Sequence, residues 1–153
     1  MKHRWAALAS VVLALSVFMP RSAEAQAGSA QPGRERDGGG LGQNYPNPFN
    51  PETRIPFMVG DPPTCSEPGR LRKVSLRIYN LLAQLVAVPV LVGGSGQVEG
   101  GKALENVQLG CGQYTAYWNG KYQGTERDVA SGIYLYRLEV DGRSVVKKMI
   151  VMK

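Results

Sequence analysis

The sequence predicts an all-β fold, an immunoglobulin-like β-sandwich of about seven antiparallel strands. Three observations predict it. Apolar and polar residues alternate over short stretches, and no helical period is sustained after residue 25. Turn signals recur about every 8–12 residues. Nineteen glycines and ten prolines in 153 residues exceed an average share but stay below that of a disordered chain.

The first element is an export signal. Residues 1–25 have the three parts of a cleaved secretory signal peptide. Lys2 and Arg4 supply the positive start, Trp5 to Met19 is uncharged and mostly apolar, and Pro20 ends the run. Ala23-Glu24-Ala25 is an A-x-A site, so the expected cut falls between Ala25 and Gln26. The apolar run is too short for a typical membrane span, and no other segment is long and apolar enough. No stable span is therefore expected after cleavage. No cysteine follows the run, which argues against a lipoprotein anchor. Residues 26–40 are polar and end in Gly38-Gly39-Gly40, the composition of a flexible linker. Residues 41–153 then form one domain.

Thr53 to Val59 alternates with Ile55, Phe57 and Val59 on one face, and Pro56 predicts an edge strand. Lys73 to Tyr79 turns Val74, Leu76 and Ile78 inward, Ser75 and Arg77 outward. Asn80 to Gln84 is a turn. Leu85 to Val92 is a strand broken near Pro89, Gly93 to Gly101 a glycine-rich tip, and Ala103 to Leu109 a weak strand. Gln113 to Trp118 places Tyr114, Ala116 and Trp118 on one face, and Asn119-Gly120 closes it. A polar loop, Lys121 to Ser131, precedes Gly132 to Val140, whose Tyr134, Tyr136, Leu138 and Val140 share a face. Asp141-Gly142 is a two-residue hairpin turn. Arg143 to Met152 returns, with lysines on both of its faces.

Composition argues against catalysis. The single histidine, His3, lies in the expected signal peptide, so the exported chain would hold none. That removes Ser-His-Asp and Cys-His arrangements, histidine bases and histidine metal sites. Two cysteines cannot make a four-thiolate zinc site. No cofactor or metal site is expected. Glu126 and Asp128 read as solvated loop charges, since calcium loops bring more oxygen ligands at regular spacing. Residues 1–25 carry Lys2, Arg4 and Arg21 against Glu24, leaving 15 basic and 11 acidic residues beyond them. Arg70, Arg72 and Lys73 form one small basic cluster, Lys147 and Lys148 another; neither is the stripe with interleaved aromatics that nucleic acid requires.

Export also changes the reading of the cysteines. In an oxidising compartment the two most simply pair. Cys65 and Cys111 both lie in Gly/Pro-rich surroundings, and a bridge would close about 47 residues, worth about 4 kcal/mol in the chain-entropy description.

Several motifs now stand in order. Asn44-Tyr45-Pro46-Asn47-Pro48-Phe49-Asn50-Pro51 opens the domain, followed by Thr53-x-Ile55-x-Phe57 and Val74-x-Leu76-x-Ile78-Tyr79-Asn80. Gly112-x-Tyr114-x-x-x-Trp118-Asn119-Gly120, Gly124 and Ser131-Gly132-Ile133-Tyr134-x-Tyr136-Arg137-Leu138 come next, and Lys147-Lys148-Met149-Ile150-Val151-Met152-Lys153 ends the chain. In this order the sequence resembles a type A C-terminal sorting domain of the type IX (Por) secretion system. That family is related to the immunoglobulin-like domain of flagellar hook-capping proteins. The resemblance covers about Leu41 to Lys153. It implies passage through the periplasm to the cell surface or the medium. The implied partners are the outer-membrane secretion machinery and a sortase-like protease. It carries a sorting role onto Tyr45, Pro46, Asn47, Pro48, Gly112, Tyr114, Trp118, Gly120, Gly132, Tyr134, Lys147, Lys148 and Lys153.

Each motif also has a structural reading. The proline-rich opening pins the entering chain, with Tyr45 and Phe49 as wedges. Trp118 is core, Gly124 and Gly132 serve turns, and the hydroxyls of Tyr134 and Tyr136 reach the rim of a half-buried face. Lysines on the last strand block edge-to-edge pairing. Two departures stand out. Ala83 occupies a position where the family usually has glycine; either a left-handed backbone there costs about 1 kcal/mol or the turn differs. The family also places a cargo ahead of the domain, where this sequence has residues 26–40.

Overall fold

A computed structural model describes residues 39–94 and 100–153, all within one compact unit, Arg34–Lys153. The signal peptide, the Ala25–Gln26 cut, linker residues 26–38 and loop residues 95–99 lie outside the described residues.

Period-2 alternation becomes strands wherever one face is apolar. The described residues form nine strands, more than the seven expected: β1 Gly39–Leu41, β2 Thr53–Val59, β3 Arg72–Tyr79, β4 Leu85–Ala87, β5 Val90–Gly94, β6 Val107–Leu109, β7 Gly112–Trp118, β8 Gly132–Val140 and β9 Arg143–Val151. All strand pairings are antiparallel. One sheet has the order β1-β2-β7-β5; the other has β4-β3-β8-β9, with β6 also on β3. β6 and β4 share one edge of β3, at Arg72–Val74 and Ile78–Tyr79 respectively.

The two apolar faces close on one core. Ile55, Phe57, Val59, Tyr114, Ala116 and Trp118 come from the first sheet, and Val74, Leu76, Ile78, Tyr134, Tyr136, Leu138 and Val140 from the second. The Trp118 and Tyr134 rings meet edge to face across the sandwich, centroids 5.9 Å apart. Asp141 and Gly142 have φ of 49° and 83°, the two positive values of a type I′ hairpin, which holds β8 and β9 in register over nine pairs.

Several expectations are corrected. β2 is not an edge strand. It lies between β1 and β7, and Pro56 is tolerated because its carbonyl faces Gly42, just past the end of β1, accepting that amide at 2.8 Å. The missing proline N–H faces the same way, so no bond to β7 is lost. The expected linker is shorter, since Gly39 and Gly40 pair with Val59 and Met58. Leu85 to Val92 is two strands in different sheets: β4 pairs with β3, and after Pro89 the chain crosses to pair β5 with β7. Gly93 and Gly94 end β5 rather than opening a loop.

The weak strand 103–109 keeps only Val107–Leu109. The residues before it fold over β3, burying Leu104, while the Asn106 amide donates to Ser75 Oγ at 2.9 Å. Ser75, expected outside, is buried beneath them. Tyr136 is fully buried rather than half-buried. The inward face of β9 is resolved: Val145, Lys147, Met149 and Val151 point in, Val146, Lys148 and Ile150 out.

The Cys65–Cys111 disulfide forms, with Cα atoms 5.6 Å apart between residues 46 positions apart in sequence. It ties the β2–β3 loop to the start of β7, opposite the end where the chain terminates.

Candidate functional site

The proline-rich opening and the last strand meet. Residues 44–51 form a strap across the end of the sandwich, bonded to both sheets. On one side Tyr45 and Arg54 exchange a pair of backbone hydrogen bonds, 2.9 Å each. On the other the Phe49 amide donates to the Ile150 carbonyl, and the Met152 amide to the Phe49 carbonyl, both at 3.0 Å. The Ile150 amide donates to Asn47 Oδ1 at 2.9 Å. The strap therefore joins β2 of one sheet to β9 of the other.

Prolines explain why these residues make a strap and not a strand. They lack ladder donors and hold the chain extended or turned, leaving the amides between them to bond outward. The bonds of Tyr45–Pro46, Asn47–Pro48 and Asn50–Pro51 are cis. Phe49 is 1% exposed and packs edge to face on Trp118, centroids 5.4 Å apart. Tyr45, expected as a second wedge, is 52% exposed, and its backbone is bonded to Arg54. Gly120 makes the close approach possible. Its φ is 72°, and a Cβ there would sit 2.2 Å from the Pro51 carbonyl oxygen.

Asn44 anchors the strap from beneath. It is buried, donates through Nδ2 to Thr53 Oγ1 at 3.0 Å and to the Pro46 carbonyl at 3.1 Å, and accepts from Gln43 at 2.7 Å. Its amide donates to the Tyr136 hydroxyl at 3.1 Å, which donates to the Gly42 carbonyl at 2.9 Å. Both tyrosine hydroxyls donate to backbone carbonyls, Tyr134 to that of Ala130 at 3.0 Å. Burial raises the pKa of both Tyr134 and Tyr136, keeping them neutral donors.

The last residue is fastened too. The Lys153 amide donates to Ser131 Oγ at 3.0 Å, and its ammonium lies 2.9 Å from Asp128. That hydrogen bond from Lys153 holds the Asp128 carboxyl below its ordinary range. Glu126 pairs with Lys121 in the same loop. Val129, between these charges, is buried.

The expected sorting residues are thus divided. Tyr45, Pro46, Asn47, Pro48, Trp118, Gly120, Gly132, Tyr134 and Lys153 gather at the strap end. Gly112 lies at the other end, opposite Val59 and next to the disulfide. Tyr114, further along β7, stacks on Phe57 with centroids 5.5 Å apart and donates to the Gly110 carbonyl. Lys147 lies on the inner face of β9 opposite Tyr136, and Lys148 is exposed on the outer face opposite Leu135. Phe49 is the wedge the sequence suggested, whereas Asn44 and Ser131 belong to the strap-end constellation although the sequence reading gave them no role. Their place in the motifs quoted for Tyr45 and Gly132 was the available signal.

A cleft of about 380 Å³ borders the strap end, lined by Val88, Tyr117, Trp118, Tyr122 and Glu126 among others. The Tyr117 hydroxyl donates to Glu52 at 2.6 Å, which raises its pKa. Among the described residues no three His, Cys, Asp or Glu side chains come together as metal ligands, and no helix is long and apolar enough to cross a membrane. No protein-family model, curated protein or solved structure matches this chain. The resemblance to sorting domains is carried by the sequence motifs and their order alone.

Proposed function

We propose that the chain is a non-catalytic secreted domain that directs export across the outer membrane or to the cell surface, as a type IX C-terminal sorting domain does. The observation that carries this reading is the interlock of strap and last strand. The two motifs farthest apart in the resemblance, around Asn47 and around Ile150, are bonded to each other. A machine that recognises the folded domain would meet both in one place. The fold is read as immunoglobulin-like, supported by the β4-to-β5 crossing between facing antiparallel sheets. The outer-membrane machinery and a sortase-like protease are the partners this reading implies.

Fractionation of a bacterium that has the type IX machinery tests it. The chain is expected at the surface or in the medium, and in the periplasm when the machinery is deleted. Periplasmic retention in both strains contradicts export and favours a structural or adhesive envelope module. Deleting residues 147–153 is a poor probe of the signal, because Met149 and Val151 are core residues at 0% and 1% exposure. Lys148→Glu with Lys153→Glu changes the exposed charge and spares the core. Export of this variant should fall several-fold while the chain stays folded.

A further inference from the structure

The turn between β3 and β4 exposes three leucines: Leu81 at 67%, Leu82 at 78% and Leu85 at 50%. Neither the core nor the strap uses them. Leucines so exposed on a floppy loop would mean little, but this turn is built. Asn80 Oδ1 accepts the Leu82 and Gln84 amides at 3.0 and 2.9 Å, and its Nδ2 donates to Gln84 Oε1 at 2.8 Å. The Asn80 amide donates to the Gln84 carbonyl, and the Ala83 amide to the Asn80 carbonyl. Ala83 takes a φ of 59° to complete the bend. The Asn80 and Gln84 side chains and the Asn80, Leu82, Ala83 and Gln84 amides are bonded within the turn, and the leucines are exposed.

The surroundings of the tip extend the same character. Across the outer face of the second sheet, Tyr79 lies opposite Leu85 and Leu135, and Leu135 lies opposite Lys148. Ile133, 45% exposed, is two residues along β8 toward the chain terminus. Residues 80–85 hold no ionisable side chain. Lys148 makes no ion pair among the described residues, whereas Glu105 and Glu139 lie further down the face, paired with Arg77 and Arg137.

We propose that the Leu81–Leu82 turn is a membrane-docking element, seating in the interfacial layer of a bilayer rich in anionic lipid. Charge complementarity selects this occupant. The apolar tip carries no carboxylate of its own; on the neighbouring loop, joined to β4 through the Gln123 amide and the Val86 carbonyl, Glu126 and Asp128 are paired with Lys121 and Lys153, and the exposed ammonium of Lys148 adds attraction to lipid phosphates. Tyr79 has the apolar body and polar end suited to the boundary. Because the turn is already ordered, insertion costs little conformational freedom. The proposal is independent of the export reading and could hold for a protein that never leaves the periplasm.

The test is local fluorescence on the full chain in a Trp5→Phe background, where Trp118 is buried and constant. Leu82→Trp is placed on vesicles of phosphatidylcholine alone and of equimolar phosphatidylcholine and phosphatidylglycerol. The proposal expects a blue shift on the anionic vesicles only. Adding Leu81→Ser should raise the lipid needed for half the shift by about tenfold, and Lys148→Gln by about fivefold. All these positions are exposed, and unchanged thermal unfolding confirms that the fold is intact. Absence of the shift on anionic vesicles overturns the proposal. So does a shift indifferent to both Leu81 and Lys148, which would mean another segment carries the chain to the lipid. A shift that grows with protein concentration without lipid also overturns it and assigns the tip to a second copy.

Discussion

The two ends of the sandwich are fastened by different physics. At one end a covalent bond, Cys65–Cys111, joins the β2–β3 loop to β7. Around it Arg72 pairs with Glu67 at 2.8 Å and with Asp141 at 3.5 Å, and Asp141 accepts the Lys73 amide at 2.9 Å. Glu67 and Asp141 are substantially exposed, so these pairs add little beside the disulfide. At the other end nothing is covalent. Phe49 packs on Trp118, Asn44 is fully bonded beneath the strap, and main-chain bonds clasp Ile150 and Met152. The lesson is one of reversibility. The end that holds the chain terminus can open and close without chemistry, and the opposite end cannot while oxidised.

Substitutions can break this contrast. Removing the wedge with Phe49→Ala should have the largest effect, about 4 kcal/mol, by leaving a cavity against Trp118 and Gly120. Denaturant unfolding measures it. Replacing both cysteines with alanine should cost about 3 kcal/mol, below the chain-entropy value of about 4 kcal/mol because the unfolded chain retains some structure. The strap hydrogen bonds should survive that change, as the exchange rates of the Phe49 and Met152 amides would report. A loss of strap protection in the cysteine variant would mean that the two ends are one unit.

Finer changes sharpen the comparison. Asn47→Ala deletes the acceptor of the Ile150 amide and should cost about 1 kcal/mol, felt at the strap end only. Acid should act there as well. The folded-state pKa of Asp128 is depressed, chiefly by its hydrogen bond from Lys153. Its contribution is therefore complete above the ordinary carboxyl range and lost as pH falls through the depressed value. Titration followed at the Lys153 amide by NMR should show the terminus loosening in that acidic window and remaining unchanged near neutrality.

The pattern of residues revealed much of this molecule in advance, and the omissions have physical causes. Alternation placed Ile55, Phe57, Leu76, Ile78, Tyr114, Trp118 and Leu138 inside, because a period of two leaves only one way to bury an apolar face. Asp141-Gly142 specified its turn, because few dipeptides accept two positive φ values. Ala83 was singled out by a glycine-shaped position, and its φ of 59° is the strained alternative. Pairing between distant segments was not readable. Pro56 demotes a strand only when its missing donor faces a partner, and which side it faces depends on β1 and β7. Nor does periodicity foresee a change of sheet, so the break at Pro89 looked like an interruption rather than a crossing. Ser75 and Leu104 were misplaced or missed for a similar reason, since a loop covers one and buries the other. The strap residues were visible as a motif, but nothing local says that Asn47 bonds a backbone amide 103 positions away.

The central claim is that the strap and the last strand form one cooperative latch. Native-state hydrogen exchange in wild type and Asn47→Ala tests it most directly. The account predicts that the Phe49, Ile150 and Met152 amides exchange through one shared opening, and that the variant speeds all three by about fivefold. The Met58 and Tyr114 amides, in the β2 and β7 ladders, should be unchanged. Separate rates for the three amides, with Met152 exchanging as a fraying end indifferent to Asn47, would contradict it.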